Sequence, residues 1–355
     1  MTILFAGGED TGFSPIIGAS GGASVDIATN YPAQSMRAAF CRCVLAVFNS
    51  TSTADPPPSR WQMPIFTAGN LVWLHAQLSV GGGGAGPSFA NTANAQALLL
   101  RSPDGVSRIA LRATGTTGQL KISTRNAAGA FVDLATATAN LSGPSAPTQL
   151  DIRIDYSATG GVQMWYNGAQ VVNYVGDPRT DAATQLNQIE LAAINNLGSA
   201  NAGTGWSEII VADQDTRSMA LWTLPPSAAG NTQAWTPNTL ANINKAAISD
   251  TTFVSTTANN TLSEWTTPTT PPSGPWSVLA IVQNARVQAS TTGPQHFDWL
   301  ARTGAIDYVA NAPQAPPIAF ANFQHMWPLN PNTGLAWQIT DITAAGFNLG
   351  IESQA

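Results

Sequence analysis

Hydrophobic and polar positions alternate with a period of two along most of the first two thirds of the chain. In QLDIRIDYS (149–157), Leu150, Ile152 and Ile154 fall on one side and Asp151, Arg153 and Asp155 on the other. That pattern predicts a β-strand with one buried and one wet face. Between residues 36 and 211, comparable runs are MRAAFCRCVLAVF, NLVWLHAQLSV, NAQALLLRSP, SRIALRAT, QLKISTR, FVDLATATA and WSEIIVAD. Turn chemistry separates them: DPPP, PDG, TGTTG, NAAG, SGPSAP and TGG. Short strands punctuated at this spacing predict an antiparallel β-sandwich. The best helix candidate is ATQLNQIELAAINNL, although NQIELAAI also alternates well enough to be a strand.

The segment GVQMWYNGAQVVNYVGD, 161–177, reads as a hairpin. Asn167-Gly168 supplies the two positive-φ residues of a type I′ turn, whose twist matches that of the flanking strands. Val162 and Met164 then share one face, with Gln163 and Trp165 on the other, and Tyr166 and Val171 flank the turn.

Near residue 220 the chain changes character. A stretch rich in Thr, Pro and Asn carries Trp222, Trp235, Trp265 and Trp276 and reads as extended chain held down by aromatic anchors. Strands resume in WSVLAIVQNARVQAS, HFDWLARTG, IAFANFQHMWPL and the final WQITDITAAGFNLGIES. The expected organisation is two all-β domains, 1–215 and 216–355, with the boundary somewhere between 214 and 225. The second is expected to serve attachment and oligomerisation.

Composition narrows the partners. Only 10% of residues are charged, against about 25% in an ordinary soluble protein. The surface must therefore be covered largely by neutral hydroxyl and amide groups. A net charge of −6 with only 14 Lys plus Arg spread along the chain argues against nucleic acid. No apolar run approaches the ~20 residues of a membrane span, so no membrane partner is expected. The start MTILFAGGEDTGF has no basic leader, and its apolar patch is short for a secretory signal. Synthesis and folding in a cytoplasm are the expectation.

Candidate chemistry is sparse. Cys41 and Cys43 share a strand face but sit too far apart for a comfortable disulfide, and His75, His296 and His325 look isolated. The two cysteines read as small apolar side chains on a buried face. Of five glutamates (Glu9, Glu190, Glu208, Glu264 and Glu352), only Glu208 has a loose acidic company, Asp213 and Asp215. A glycosidase needs a tighter carboxylate pair. There is no G-x-S-x-G, and GGGGAGP lacks the Lys-Ser/Thr of a phosphate loop. No catalytic, metal or cofactor residue is expected, and the protein is read as a non-enzyme. Trp165, Tyr166 and Tyr174 are the candidate carbohydrate contacts, because sugar C–H faces pack on aromatic rings, and Trp61 and Trp73 are candidates to join them. Burial in the sandwich core is the competing reading, favoured for Trp165 and left open for Tyr166.

The run from Ala95 to Asp213 resembles a concanavalin A-like or laminin-G-like jelly roll. LDIRIDYSATGGVQMWYNGAQVVNY and the closing strand WSEIIVAD carry the likeness. In their order along the chain, ILFAGGEDTGF, WTLPPSAAGNTQAWTPNT and GLAWQITDITAAGFNLGIES are similar to segments of bacteriophage virion proteins with this fold. The resemblance implies a virion structural protein, in a tail fibre, tail tip or capsid decoration, that displays a lectin-like jelly roll. It implies assembly in a bacterial host cytoplasm and contacts with other virion proteins. It also implies a homo-oligomer, for which the three-fold symmetry of fibres and spikes suggests a trimer. The alternative is a host-surface glycan-binding adhesin, and a glycan hydrolase comes third. Asp104, Asp177 and Asp181 are loop oxygen donors that no motif assigns to calcium.

Overall fold

The computed structural model describes residues 2–8, 12–17, 24–27, 45–48, 54–81, 93–116, 118–141, 147–193, 203–244 and 249–355. Cys41, Cys43 and residues 82–87 of the glycine run lie outside them. The described chain is all-β and divides into two compact units, Met1–Leu221 and Trp222–Ala355.

In the first unit the strands are β1 (Ile3–Gly7), β2 (Ser14–Ile16), β3 (Ser24–Ile27), β4 (Leu45–Phe48), β5 (Arg60–Gln62), β6 (Leu71–Gly81), β7 (Gln96–Arg101) and β8 (Ser107–Ala113). They continue with β9 (Leu120–Arg125), β10 (Phe131–Thr136), β11 (Thr148–Asp155), β12 (Gly161–Tyr166), β13 (Ala169–Val175), β14 (Gln188–Leu191) and β15 (Gly203–Ala212). They form two antiparallel sheets. Sheet I has the order β13-β12-β11-β6-β15-β4-β3, with β1 also paired to β15; sheet II runs β10-β9-β8-β7-β14-β5-β2. The ambiguous NQIELAAI segment is therefore strand β14, not helix. Its Ile189 and Leu191 enter the core, which period-two alternation permits and a helix of that length does not.

One hydrophobic core lies between the sheets. Sheet I sends in Val72, Leu74, Ala76 and Leu78 from β6, and Leu150, Ile152 and Ile154 from β11. Sheet II answers with Leu98, Leu100, Ile109, Leu111, Leu120 and Ile122. Burying each such side chain contributes about 1.5–3 kcal/mol. Two bulges keep the phase of alternation. On β15 the register shifts between Ser207 and Ile210, and Glu208 takes φ +51°, so that Trp206 and Ile209 both point inward. On β13 the shift places Val171 and Val172 in the core together. The hairpin turn has Asn167 at φ +49° and Gly168 at φ +82°, the two positive values of a type I′ turn.

The second unit contains β16 (Ala228–Gln233), β17 (Leu262–Thr266), β18 (Ile281–Val287), β19 (His296–Thr303), β20 (Ile306–Val309), β21 (Ala321–Trp327) and β22 (Asn348–Gln354), with single-turn helices α1 (Leu240–Ile243) and α2 (Ile339–Ile342). A five-stranded sheet, β16-β17-β22-β19-β20, accompanies the β18-β21 ribbon. Phe297, Trp299, Trp327, Trp337, Ile342 and Phe347 make much of its core. Gln283 on the ribbon ties it to the sheet, its Nε2 donating to the carbonyls of Leu300 (3.2 Å) and Gly350 (3.3 Å). Within WQITDIT, expected as strand, the helix α2 forms. Asp341 accepts the Gln338 N–H in a capping box that starts the turn there. Among the expected anchors, Trp235 is buried and donates to Thr261 O at 3.0 Å. Trp276 is 38% exposed and donates to Ser273 O in its own loop at 3.0 Å.

Candidate functional site

The three aromatic candidates from the sequence do not form a platform. Trp165 projects from the outer face of sheet I, stacked on Trp73 with ring centroids 5.5 Å apart and planes at 14°. The Arg217 guanidinium lies over both rings, 4.7 Å from Trp165 and 5.7 Å from Trp73. Trp165 is thus buried, but beneath an arginine and not in the sandwich core. Tyr166 points the opposite way, into the core. Its hydroxyl has no partner, and burial pushes its phenol pKa up, so Tyr166 is no surface contact. Tyr174 pairs across the ladder with core-facing Val162 on the edge strand and donates to Asp177 O at 3.2 Å. Trp61 is also in the core, bonded to Ala46 O at 3.2 Å.

Beside the stacked tryptophans, the outer face of sheet I holds a buried polar network that the sequence did not show. Asp151 on β11 lies opposite His75 on β6 in the ladder. His75 Nδ1 is 2.9 Å from Asp151 Oδ1, so the ring's Nδ1–H donates to the carboxylate. Thr216 Oγ1 donates to the same oxygen at 3.3 Å, and Gln149 Nε2 donates to Oδ2 at 2.8 Å. Gln149 Nε2 also donates to Arg217 O, at 3.0 Å. The network therefore fastens the 213–219 segment across the sheet. His75 Nε2 is buried with no hydrogen-bond partner, so no described hydroxyl is placed as a nucleophile on it. The loose acidic set comes apart as well. Glu208 sits in the β15 bulge, Asp213 accepts the Thr2 N–H at 2.8 Å, and Asp215 is paired with Arg217.

The outer face of sheet II is different in kind. Six of the chain's 14 Lys and Arg lie on its strands: Arg60, Arg101, Arg108, Arg112, Lys121 and Arg125. Alternation explains the placement, because Trp61, Leu100, Ile109, Leu111 and Ile122 beside them occupy the core face. Fully buried Glu190 on β14 is contacted by Arg60 Nε at 2.9 Å and Arg101 Nη2 at 3.1 Å, and its Oε1 accepts from Gln62 Nε2 at 2.9 Å. Along the same row toward β10, Asp133 accepts from Lys121 Nζ at 2.8 Å and Ser123 Oγ at 2.8 Å, with Arg112 at 3.6 Å. Burial pushes the Asp133 carboxyl up, but Lys121, Ser123 and Arg112 outweigh it and hold the group below the usual carboxylate range. Burial lowers the Arg112 pKa, with Asp133 pulling against it. Phe131 lies under Arg112 and Arg125, at 5.4 and 5.1 Å.

Despite these ion pairs, the face is not saturated. Arg60 Nε, Arg101 Nε, Arg112 Nε, Gln96 Oε1 and Glu190 Oε2 are all buried without an aligned hydrogen bond. Arg60 Nε and Glu190 Oε2 lie 2.9 Å apart and serve each other, which leaves Arg101 Nε, Arg112 Nε and Gln96 Oε1 as a departure from the usual pairing of buried polar atoms. The two carboxylates on this row are four strands apart, about 19 Å at ~4.8 Å per strand, too far for either glycosidase geometry. Of the loop aspartates considered for calcium, Asp104 and Asp181 both pair with Arg108, and Asp177 pairs with Arg179. Among the described residues, no three His, Cys, Asp or Glu side chains gather in a metal-holding group.

No protein-family model matches the chain, and no curated protein does. Similar solved structures include a cellulose-induced protein, Cip1, with a TM-score of 0.40 and 12% identity over 59% of this chain and 94% of that one. An endo-β-1,4-glucuronan lyase from the fungus Trichoderma reesei has a TM-score of 0.37 and 13% identity over 56% and 94%. The T. cruzi calreticulin globular domain has a TM-score of 0.38 and 10% identity over 61% and 89%. At this level of similarity they assign neither a residue nor a substrate to this chain.

Proposed function

We propose that this protein binds carbohydrate through the outer face of sheet II without cleaving it, and that it does so as a structural component of a bacteriophage particle. The observation that carries the binding reading is the group of buried, unpartnered polar atoms Gln96 Oε1, Arg101 Nε and Arg112 Nε. A sugar supplies hydroxyls that both donate and accept, and so completes donors and an acceptor on the same face. The non-catalytic reading is supported by the state of the two carboxylates, which are far apart and each spent on cations. Placement on a virion is supported by the order of the segments ILFAGGEDTGF, WTLPPSAAGNTQAWTPNT and GLAWQITDITAAGFNLGIES. A homo-oligomer is supported by exposed Ile306, Ile318, Leu329 and Leu335 on the second unit.

The test is a glycan array probed with the full-length protein, with product analysis of every glycan retained. Retention of at least one glycan class, lost when Arg101 and Arg112 are both replaced by glutamine, is the expected result. An empty array from folded protein overturns the binding reading. Shortened or unsaturated products overturn the non-catalytic one.

A further inference from the structure

Resting on the homo-oligomer reading, we infer that strand β20 is a docking edge for a second copy of this chain. The two β20 strands pair antiparallel about Tyr308 and join two five-stranded sheets into one.

β20 ends the sheet order β16-β17-β22-β19-β20. Its ladder with β19 starts at the Gly304-Ala305 turn, where φ is +58° and +66°. Ala310 N donates to Trp299 O at 3.0 Å in the same register. Facing residues of an antiparallel ladder alternate between pairs that exchange hydrogen bonds and pairs that do not. Counting back from Ala310, Tyr308 and Ile306 turn their backbone groups toward β19, while Asp307 and Val309 turn theirs outward. Among the described residues, these outward groups meet no backbone partner, and Val309 O accepts only Asn311 Nδ2, at 3.2 Å.

An open edge is normally blunted by proline, by a bulge or by a free charge. Elsewhere in the chain that rule holds: β2 contains Pro15, and the ladders of β10, β13 and β16 each carry a register shift. β20 has none of the three. It contains no proline, its register is unbroken, and its one charged residue, Asp307, is paired with Arg302 Nη1 at 2.5 Å.

Apolar side chains border the same edge. Ile306 is 52% exposed, and Leu329 and Leu335, on the loop between β21 and α2, are 49% and 68% exposed. Tyr308 Oη donates to Asn332 Oδ1 at 2.7 Å, and Asn330 N donates to Leu335 O at 2.9 Å, so this loop is fastened beside β20. Exposed aliphatic chains without aromatic ring faces suit a dry contact between proteins better than a sugar.

The edge is also self-complementary. With Tyr308 on a two-fold axis, Asp307 faces Val309 of the second copy, and each facing pair exchanges both backbone bonds through its outward groups. Ile306 then faces Ala310 of the second copy, on the sheet face it shares with Tyr308. No uncompensated charge enters the contact, and a two-fold pairing through this edge closes at two copies.

Sedimentation velocity of the full-length protein from about 1 to 100 μM is the test, with a concentration-dependent dimer expected. Val309→Pro deletes an outward N–H and leaves the β19 ladder intact, at a position where an edge strand tolerates proline. It is expected to weaken dimerisation about tenfold or more. Ile306→Lys places a charge beside the edge and should weaken it likewise. Tyr308→Cys keeps the proposal testable if either variant fails to fold. With Cys41 and Cys43 replaced by serine, it should give a reducible cross-linked dimer, because residues meeting at the axis have Cα atoms about 4.5 Å apart. Asp307→Cys, off the axis, should cross-link poorly.

A monomer at every concentration overturns both this pairing and the homo-oligomer reading. A trimer overturns the two-fold and leaves the homo-oligomer reading standing. A dimer that Val309→Pro leaves intact, or that Tyr308→Cys fails to cross-link, moves the interface off β20.

Discussion

His75 and Asp151 are 76 positions apart in sequence and directly opposite each other in the sheet, with Nδ1 and Oδ1 2.9 Å apart. Both side chains are fully buried, and Thr216 and Gln149 complete the carboxylate's shell. Asp151 thus accepts from three side chains, and Gln149 also donates to Arg217 O in the 213–219 segment.

Replacing it with alanine should accordingly be costly. Asp151→Ala leaves the His75 ring and the Thr216 hydroxyl buried without their acceptor, and each buried donor left unsatisfied costs about 1–3 kcal/mol. Denaturant unfolding of the two proteins is the measurement. A difference below about 0.5 kcal/mol would show that the network does not hold the segment.

Arg217 is expected to matter for the tryptophan environment more than for stability. Its guanidinium covers Trp73 and Trp165, and an exposed cation–π contact contributes about 0.5–1 kcal/mol. Arg217→Ala should admit water to the stacked indoles, shifting tryptophan emission to longer wavelength and raising acrylamide quenching. Unchanged emission would mean that something other than Arg217 shields the pair.

Tyr156 sets an alkaline limit. Burial pushes its phenol pKa up to about 12, and its hydroxyl has no partner in the core. A group whose folded pKa exceeds its unfolded value near 10 stabilises the fold fully below that value. The contribution is lost as pH rises from about 10 through 12, because the unfolded chain ionises first. Tyr156→Phe should therefore be neutral or stabilising at pH 7 and should flatten the loss of stability above pH 10. Equal alkaline sensitivity in both proteins would place the limit elsewhere.

Much of the first unit was legible because its information is local. The alternation of Leu150, Ile152 and Ile154 and the Asn167-Gly168 turn determine which faces are buried without reference to distant strands. Two local readings fall short of the packed structure. The Gln338–Asp341 capping box competes successfully with strand alternation in WQITDIT. The sequence alone does not orient Tyr166, because turn-flanking residues face either way, and the packed structure shows it in the core.

The candidate site was not legible, because it is built by register. Glu190 meets Arg60 and Arg101 only once β14 is seated between β5 and β7. Likewise, His75 looked isolated because its partner lies on a strand far away in sequence. The cations that appeared thinly spread are gathered by the order of strands in sheet II. A partial signal was present: Arg101, Arg108, Arg112, Lys121 and Arg125 all fall within 25 residues, at polar positions of alternating runs.

The pairing of β1 with β15 bears on how the first unit is made. Ile3 lies against Ala212, and the Thr2 amide donates to Asp213 across 211 intervening steps of chain. On the ribosome, β1 therefore waits without its mate until nearly the whole unit has emerged, and contacts this distant in sequence form slowly. The β1–β15 pairing thus joins the first and last strands of the unit. Until then β1 presents an unpaired edge to neighbouring nascent chains.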